Sequence, residues 1–495
     1  MTSPGYGVSA SASGTGQSAA RADAIDRREM ARRRIVRWVL VMLWMLMFEG
    51  AIRKWLAPHF SAYLYFMRDP IAIWIYLIAL RNGLFMRQPH MLMVGLAIAA
   101  VAILLSGVHL ASGGQYTPIL ALYGIRNYFL YMPLPFVIAR CFKYQDVCSA
   151  ARCTMIAMII AAPIAVLQFW AAPDSVLNAG IATEQAYQFE NLASGSGRVR
   201  PAGTFTSVMG MTQLTVANVA LLMWAWGSPR QRRPVGAWLL VPAAIATATA
   251  LAVGGSRTSF IQSVLVIVTG VAISPLLPAM SSKLKGVVLP LIAAAAFATL
   301  FPIVFPEAFQ TFADRWNDAA STESQQFQLG WIGRIFYSFY DFGRLLGQIP
   351  LAGYGVGTGG NGAVSMGVSI QGVSVLKLAE EDWSRHVIEL GPPLAIVFIL
   401  FRASLGAWVG RLALRATLAS GDPLPVLLFA YCGVALVEGQ LTGHGLVNGF
   451  GWLYAGLCLA ASGERQGRAV SERVRVRNAN PVGALPGQRF PNLLR

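Results

Sequence analysis

An all-α, polytopic membrane bundle of about twelve spans, with a large extracytoplasmic loop subdomain before the tenth span, is the fold class that the sequence predicts. Two observations carry it. The 495-residue chain is 55% hydrophobic and only 12% charged, about half the charged share of an ordinary soluble protein. Apolar runs close to the ~20 residues that cross a bilayer recur from end to end. The short, strictly alternating segments that would build a β-barrel are not seen.

Residues 1–34 are polar, rich in Ser, Gly and Ala and then in Arg, and read as a disordered cytosolic tail ending in the basic run RREMARRRIVR. That composition does not fit a cleavable signal peptide. Apolar segments follow at 36–52, 62–80, 91–110, 118–139, 147–171 and 205–226, then at 236–254, 258–277, 287–306, 385–401, 424–442 and 445–461. A basic tail, 462–495, closes the chain.

The loops sort by charge. RNGLFMRQPH, ARCFKYQD, GSPRQRRPVG, PAMSSKLKG, the arginine-bearing stretch 402–422 and the C-terminal tail are basic. Loops on the opposite side are mostly neutral or acidic, with Arg53-Lys54 as the exception. By the positive-inside rule, both termini are expected in the cytosol. The same distribution explains the net charge of +17 without nucleic acid as a partner. Cys141, Cys148, Cys153, Cys432 and Cys458 show no metal-ligand spacing, so neither a disulfide framework nor a metal site is expected.

Two extracytoplasmic loops, 172–204 and 307–384, are too long to be simple connections. Within the second, GRIFYSFYDFGRLLGQIP places Ile335, Phe336, Phe339, Phe342 and Leu346 largely on one helical face, as a helix lying on the membrane surface would.

Three constellations could carry chemistry. Arg200 in RVRPAGTF and Arg257 in VGGSRTSF stand at the extracytoplasmic ends of different spans. Two guanidinium forks converging there would clamp a pyrophosphate. Alternatively, Arg257 is an interfacial snorkelling residue and Arg200 a solvated loop residue. The glycines of LAGYGVGTGGNG, Gly355 and Gly357 among them, suit either a turn needing positive φ or a close approach to substrate. The stretch AEEDWSRHVIELG crowds Glu380, Glu381, Asp382, Arg385, His386 and Glu389 at the mouth of a span. Asp382 suits a helix N-cap, and Arg385 and Glu389, four apart, share a face. One acid there, drawn from Glu380, Glu381 and Glu389, could deprotonate a sugar hydroxyl. Glu49 with Arg53-Lys54, Arg68-Asp69, Arg126 and Glu438 are mostly expected in structural ion pairs. Neighbours such as Arg68 and Asp69 should pair elsewhere in the bundle rather than with each other.

The order RPAGTF before a span, SRT between two spans, GYGVGTGG in a long loop, then acids and Glu389-Leu390-Gly391 resembles the O-antigen ligase and O-antigen polymerase superfamily over roughly 115–461. FEGAIRKWLAP and GIRNYFLYMPLPF look like an exopolysaccharide-cluster branch of it. The resemblance implies a membrane transferase domain at 35–461: a glycosyltransferase that needs no metal and no cofactor. Its donor would be a polyprenyl-pyrophosphate-linked glycan and its acceptor a glycan or lipid hydroxyl. Membrane lipids surround it, and a flippase and chain-length regulator of the same pathway are its implied partners. Arg200 and Arg257 match the arginines that bind the donor pyrophosphate; apart from the resemblance, Arg334, Arg385, His386, Gly355 and Gly357 are further candidate substrate contacts. The family's His-Asn pair, about eight residues before the glutamate, falls here at Glu380-Glu381. That departure favours Glu381 as the base and a polymerase over a ligase. A transporter also suits many spans with broken helices, and a non-catalytic scaffold is the third alternative.

Overall fold

The computed structural model describes residues 12–86, 90–113, 116–179, 198–228, 235–277, 283–326, 341–360 and 382–479. Among these the elements are all helical. Eight helices are long and apolar enough to cross a membrane, or nine if a bent pair counts as one span. The chain is thus a multi-pass helical membrane bundle.

The first half builds α1 (Ala12–Ala51), α2 (Asp69–Asn82), α3 (His90–Ala111), α4 (Pro118–Ile125), α5 (Leu134–Cys141) and α6 (Tyr144–Trp170). α1 begins well before its apolar stretch, so residues 12–34, expected as a disordered tail, are helical. Arg32 explains why the helix continues: its guanidinium reaches Asp146 on α6 at 2.7 Å. The expected span at 62–80 is split, with a single turn at Ser61–Leu64 before the 14-residue α2. The one at 118–139 is broken by a π-helical turn, Arg126–Leu130, followed by Pro133. Proline removes a helical donor and widened turns re-aim side chains, so such breaks have a local cause.

The second half adds α7 (Val208–Gly227), α8 (Ala237–Gly254), α9 (Arg257–Ile273), α10 (Lys283–Val304), α11 (Pro306–Gln326), α12 (Asp382–Leu390), α13 (Pro392–Ser420), α14 (Leu424–Val437) and α15 (Gly445–Ala479). α10 and α11 meet at a bend of 106°. An aromatic cluster pins this corner: Phe260 of α9 packs on Phe312 of α11 at 4.7 Å, and Phe301 of α10 on Phe309 at 5.4 Å. The span expected at 385–401 is two helices that break at Gly391, whose φ of 75° is costly for any residue with a Cβ. α13 then runs on to Ser420, so the stretch from 402, expected as a basic loop, is helical. Arg402 is only 1% exposed and faces the bundle interior.

Residues 333–340 of the surface helix expected at 333–350 lie outside the described residues. Phe342 and Leu346, within it, pack against the core.

The intramembrane charges pair as expected. Arg68 reaches Glu49 at 2.7 Å, Arg53 reaches the same carboxylate at 3.3 Å, and Asp69 goes instead to Arg126 at 2.9 Å. Each buried ion would cost several kcal/mol alone, so sequence neighbours separate to find partners on other helices.

Candidate functional site

One end of the bundle collects the polar elements: the C-terminus of α8, the N-termini of α7 and α9, and the corner between α10 and α11. Arg200 is held there by the turn that follows it. Gly203, at φ 60°, donates its amide to Gln168 Oε1 at 2.7 Å, and its carbonyl accepts from Gln168 Nε2 at 3.2 Å. Lys54 Nζ reaches the same carbonyl at 3.3 Å, and Thr204 donates to the Met47 carbonyl at 2.7 Å. Phe205 is fully buried and lies so close to Gly50 that a Cβ there would meet its backbone at 2.5 Å. RPAGTF is therefore a plug fastened to α1 and α6, with its arginine at the rim.

Arg257 is placed by a different device. Gly255 ends α8 in the left-handed region at φ 53°. Ser256 caps α9, accepting from the Ser259 amide at 3.4 Å and from Thr212 of α7 at 3.3 Å. Arg257 follows at the first helical position, where the helix dipole is positive. A cation there costs a few tenths to about 1 kcal/mol unless an anion joins it.

Both arginines act on the charge of a third, Arg315 on α11. Its Nη1 donates to the Gly255 carbonyl at 3.0 Å. The next residue, Trp316, carries its ring 6.0 Å from the Arg257 guanidinium. α11 turns away from the span at its corner, and Arg315 lies on that arm. Burial first, and then the charges of Arg200 and Arg257, hold its guanidinium below the ordinary arginine value, at about 10. The segment carrying Arg200 is tied to the start of the same helix by the Arg198–Glu307 ion pair at 2.7 Å. Three half-buried guanidinium groups thus face one another's charge across the joint of α7, α9 and α11.

A second cluster forms where α12, α13 and α14 meet. Arg402 fills all of its donor positions: Nε to the Leu436 carbonyl, Nη2 to those of Ala435 and Gly439, and Nη1 to Asp382 and His386, at 2.5–3.0 Å. Asp382 also pairs with Arg385 at 3.1 Å and accepts from Thr442 Oγ1 at 3.0 Å. It works as the hub of an ion network beyond any capping role. Guanidinium only donates, so His386 Nε2 must accept and Nδ1 must carry the proton, which points at the Tyr128 hydroxyl 2.9 Å away. Tyr128 in turn neighbours the Glu389 carboxylate. Asp382, Arg385, His386 and Glu389 are all at most 2% exposed.

The glycine loop serves this cluster. The Gly359 amide donates to Glu389 Oε1 at 2.8 Å, so the anion turned towards the loop is a protein carboxylate. Gly355 and Gly357 have φ of 97° and 93°. A Cβ on Gly355 would meet the Tyr116 ring at 2.5 Å, and one on Gly357 the Leu120 carbonyl at 2.7 Å. Both glycines lie against the protein itself. Arg385 and Glu389 share a face, both flanking Gly359. Glu380, Glu381 and Arg334 lie outside the described residues.

The two clusters flank one end of α7: Ser207, just before it, contacts His444 Nε2 at 3.1 Å, and Thr212, one turn in, contacts the Ser256 cap. Sequence reasoning missed Arg315, Arg402 and Tyr128. Arg402 had a signal, a lone cation inside FILFRASLG; Arg315, in an amphipathic acidic helix, had none. No family model and no curated protein matches the chain.

Proposed function

We propose that this protein is an inner-membrane glycosyltransferase of the O-antigen polymerase and ligase type, with both termini cytosolic. It would transfer glycan from a polyprenyl-pyrophosphate donor to an acceptor hydroxyl on the periplasmic side during surface polysaccharide or exopolysaccharide assembly. What supports this is that Arg315, bonded to the Gly255 carbonyl just before Arg257, feels the charges of both Arg200 and Arg257. Like charges gathered in a half-buried site match the chemistry of a departing diphosphate.

The step is a single displacement. The acceptor oxygen forms a bond to the anomeric carbon as the bond from that carbon to the pyrophosphate oxygen breaks. The hydroxyl proton passes to a carboxylate, Glu381 first, and polyprenyl pyrophosphate leaves with its charge matched by the arginines. Removing one such electrostatic group costs about 2.7–4 kcal/mol at a transition state, so Arg257→Ala should lower polymer output at least a hundredfold. An Arg257→Ala protein that folds and keeps full output would sink the proposal.

Sizing the lipid-linked glycans of a strain lacking the protein separates the branches. Accumulated single repeat units indicate a polymerase, and long chains that never reach an acceptor indicate a ligase. The breaks at 126–133 and Gly391 favour a transporter as the second reading. Transport of intact lipid-linked glycan into vesicles that hold only this protein would establish that instead.

A further inference from the structure

α11 carries apolar surface that the described residues of the bundle do not cover. It leaves α10 at the 106° corner, nearly at right angles to a helix whose last turns turn Leu300, Ile303 and Val304 outward. At about 100° per residue its side chains sort into three faces. Ala308, Thr311, Phe312 and Arg315 meet the bundle: the first two are buried, Phe312 packs on Phe260, and Arg315 bonds the Gly255 carbonyl. Phe309, Ala313, Trp316 and Ala320 form a second stripe, with Phe309 40% and Trp316 43% exposed. One side of the Trp316 ring meets Phe312 and the Arg257 guanidinium, and the rest is open. Glu307, Gln310, Asp314, Asn317 and Asp318 make the third face, and all five are exposed. From Phe309 to Ala320 no charged side chain enters the stripe and no apolar one enters the polar face.

We propose that α11 is an interfacial arm: its Phe309, Ala313, Trp316 and Ala320 stripe is embedded in phospholipid of the leaflet at this end of the bundle, and its acidic face stands in water. The corner says what covers the stripe. A helix laid across the end of a span has one side towards the bundle, one towards hydrocarbon and one towards solvent, and α11 has a face of matching chemistry for each. Ile303, 73% exposed one turn before the corner, continues the lipid-facing surface of α10 up to the stripe. The arm does not itself cross, because Asp314 and Asp318 would be carried into the hydrocarbon. Tryptophan, apolar with one polar tip, favours the headgroup level. Interfacial helices that rely on anionic lipid line their polar face with Lys and Arg; this one carries acids. The arm is therefore held by apolar burial, on neutral lipid as well as anionic, and salt does not release it. This inference is independent of the transferase reading.

The test places single cysteines on the two open faces of the full chain: F309C, A313C and W316C on the stripe, Q310C, D314C and N317C on the polar face. Each is labelled with bimane in detergent and reconstituted into phosphatidylcholine nanodiscs. Four of the five native cysteines are buried and Cys153 is half-buried, so the unaltered protein taken through the same labelling gives the background. Two quenchers are compared, iodide in water and a phosphatidylcholine with a nitroxide high on its acyl chain. The lipid nitroxide should quench the stripe positions about threefold or more above the polar ones, and iodide should show the reverse order, as a helix in the interface plane requires. The pattern should hold from low to high salt. Equal iodide quenching at all six positions would place the arm in water and overturn the proposal. So would a stripe that neither quencher reaches, since protein would then cover it, or lipid quenching of both faces, since the arm would then enter the bilayer. A pattern that appears only with phosphatidylglycerol, or that salt abolishes, would overturn anchoring by apolar burial. A313C against N317C decides the matter alone if the aromatic variants fail to fold.

Discussion

The arginine joint and the α12 network hold the same residue type in opposite conditions. Arg402 is completely buried, and every N–H it owns has an acceptor on α12 or at the C-terminal end of α14. Arg200, Arg257 and Arg315 are half-buried, and the nearby charge that Arg315 feels is positive. The buried arginine knits helices together, whereas Arg315 sits half-buried within reach of the charges of two other arginines.

The largest effect should come from breaking the saturated site. Arg402→Met would leave the buried Asp382 with Arg385 as its remaining arginine partner beside the Thr442 hydroxyl, and removing one partner of a buried pair costs about 3–5 kcal/mol. The purified protein should lose thermal stability by that measure or fail to accumulate. Adding Asp382→Asn should recover a large part of the loss, since an uncompensated charge and not a missing contact causes it. If the single variant unfolds at the parent's temperature, Arg402 is not the structural member of the comparison.

A smaller loss should follow at the glycine loop that serves the same network. Gly357→Ala places a Cβ at φ 93° and against the Leu120 carbonyl, and the backbone strain alone costs about 1–3 kcal/mol. Gly360→Ala is the control. Its nearest neighbour would be Tyr123 at an ordinary 3.6 Å, and its melting temperature should stay with the parent's. Equal melting of the two variants would show that the loop is not pressed against α4 as described.

The arginine joint should answer with the opposite sign. Arg257→Gln removes a cation from a helix N-terminus and from two like neighbours, so stability should hold or rise by up to about 1 kcal/mol. Transferase output should fall all the same. A gain in stability with a loss of activity is the signature of a functional charge. A destabilisation matching that of Arg402→Met would erase the distinction between the regions.

How much of this was legible beforehand differs between the regions for physical reasons. Apolar length exposed the bundle, because hydrocarbon demands it wherever the chain crosses. Breaks inside spans were not legible: Gly391 and the π-turn at Arg126 depend on which neighbour supplies the lost hydrogen bonds. Arg200 and Arg257 could be named because each stands beside a turn with its own backbone signature, GTF or GGS. Arg315 could not, since only the 106° corner between α10 and α11 carries it to the α8–α9 turn. Arg402 was read as loop because charge interrupted an apolar run. Three of its five bonds go to the carbonyls ending α14, backbone atoms that no side-chain pattern records.

The smallest effect tests the tether between the loop and the joint. Arg198 and Glu307 pair at 2.7 Å with side chains 30% and 53% exposed. Pairs so open to solvent contribute about 0–1 kcal/mol, so Glu307→Gln should leave the melting temperature nearly unmoved. Its expected consequence lies in positioning. Freed from Glu307, the segment bearing Arg200 would hold its guanidinium less firmly beside Arg315, and affinity for a diphosphate probe should weaken by a few-fold. Raised salt should mimic this in the unaltered protein, because exposed pairs are screened. If Glu307→Gln instead destabilises the fold by several kcal/mol, the pair belongs with Arg402 as structure, and the joint would be braced rather than poised.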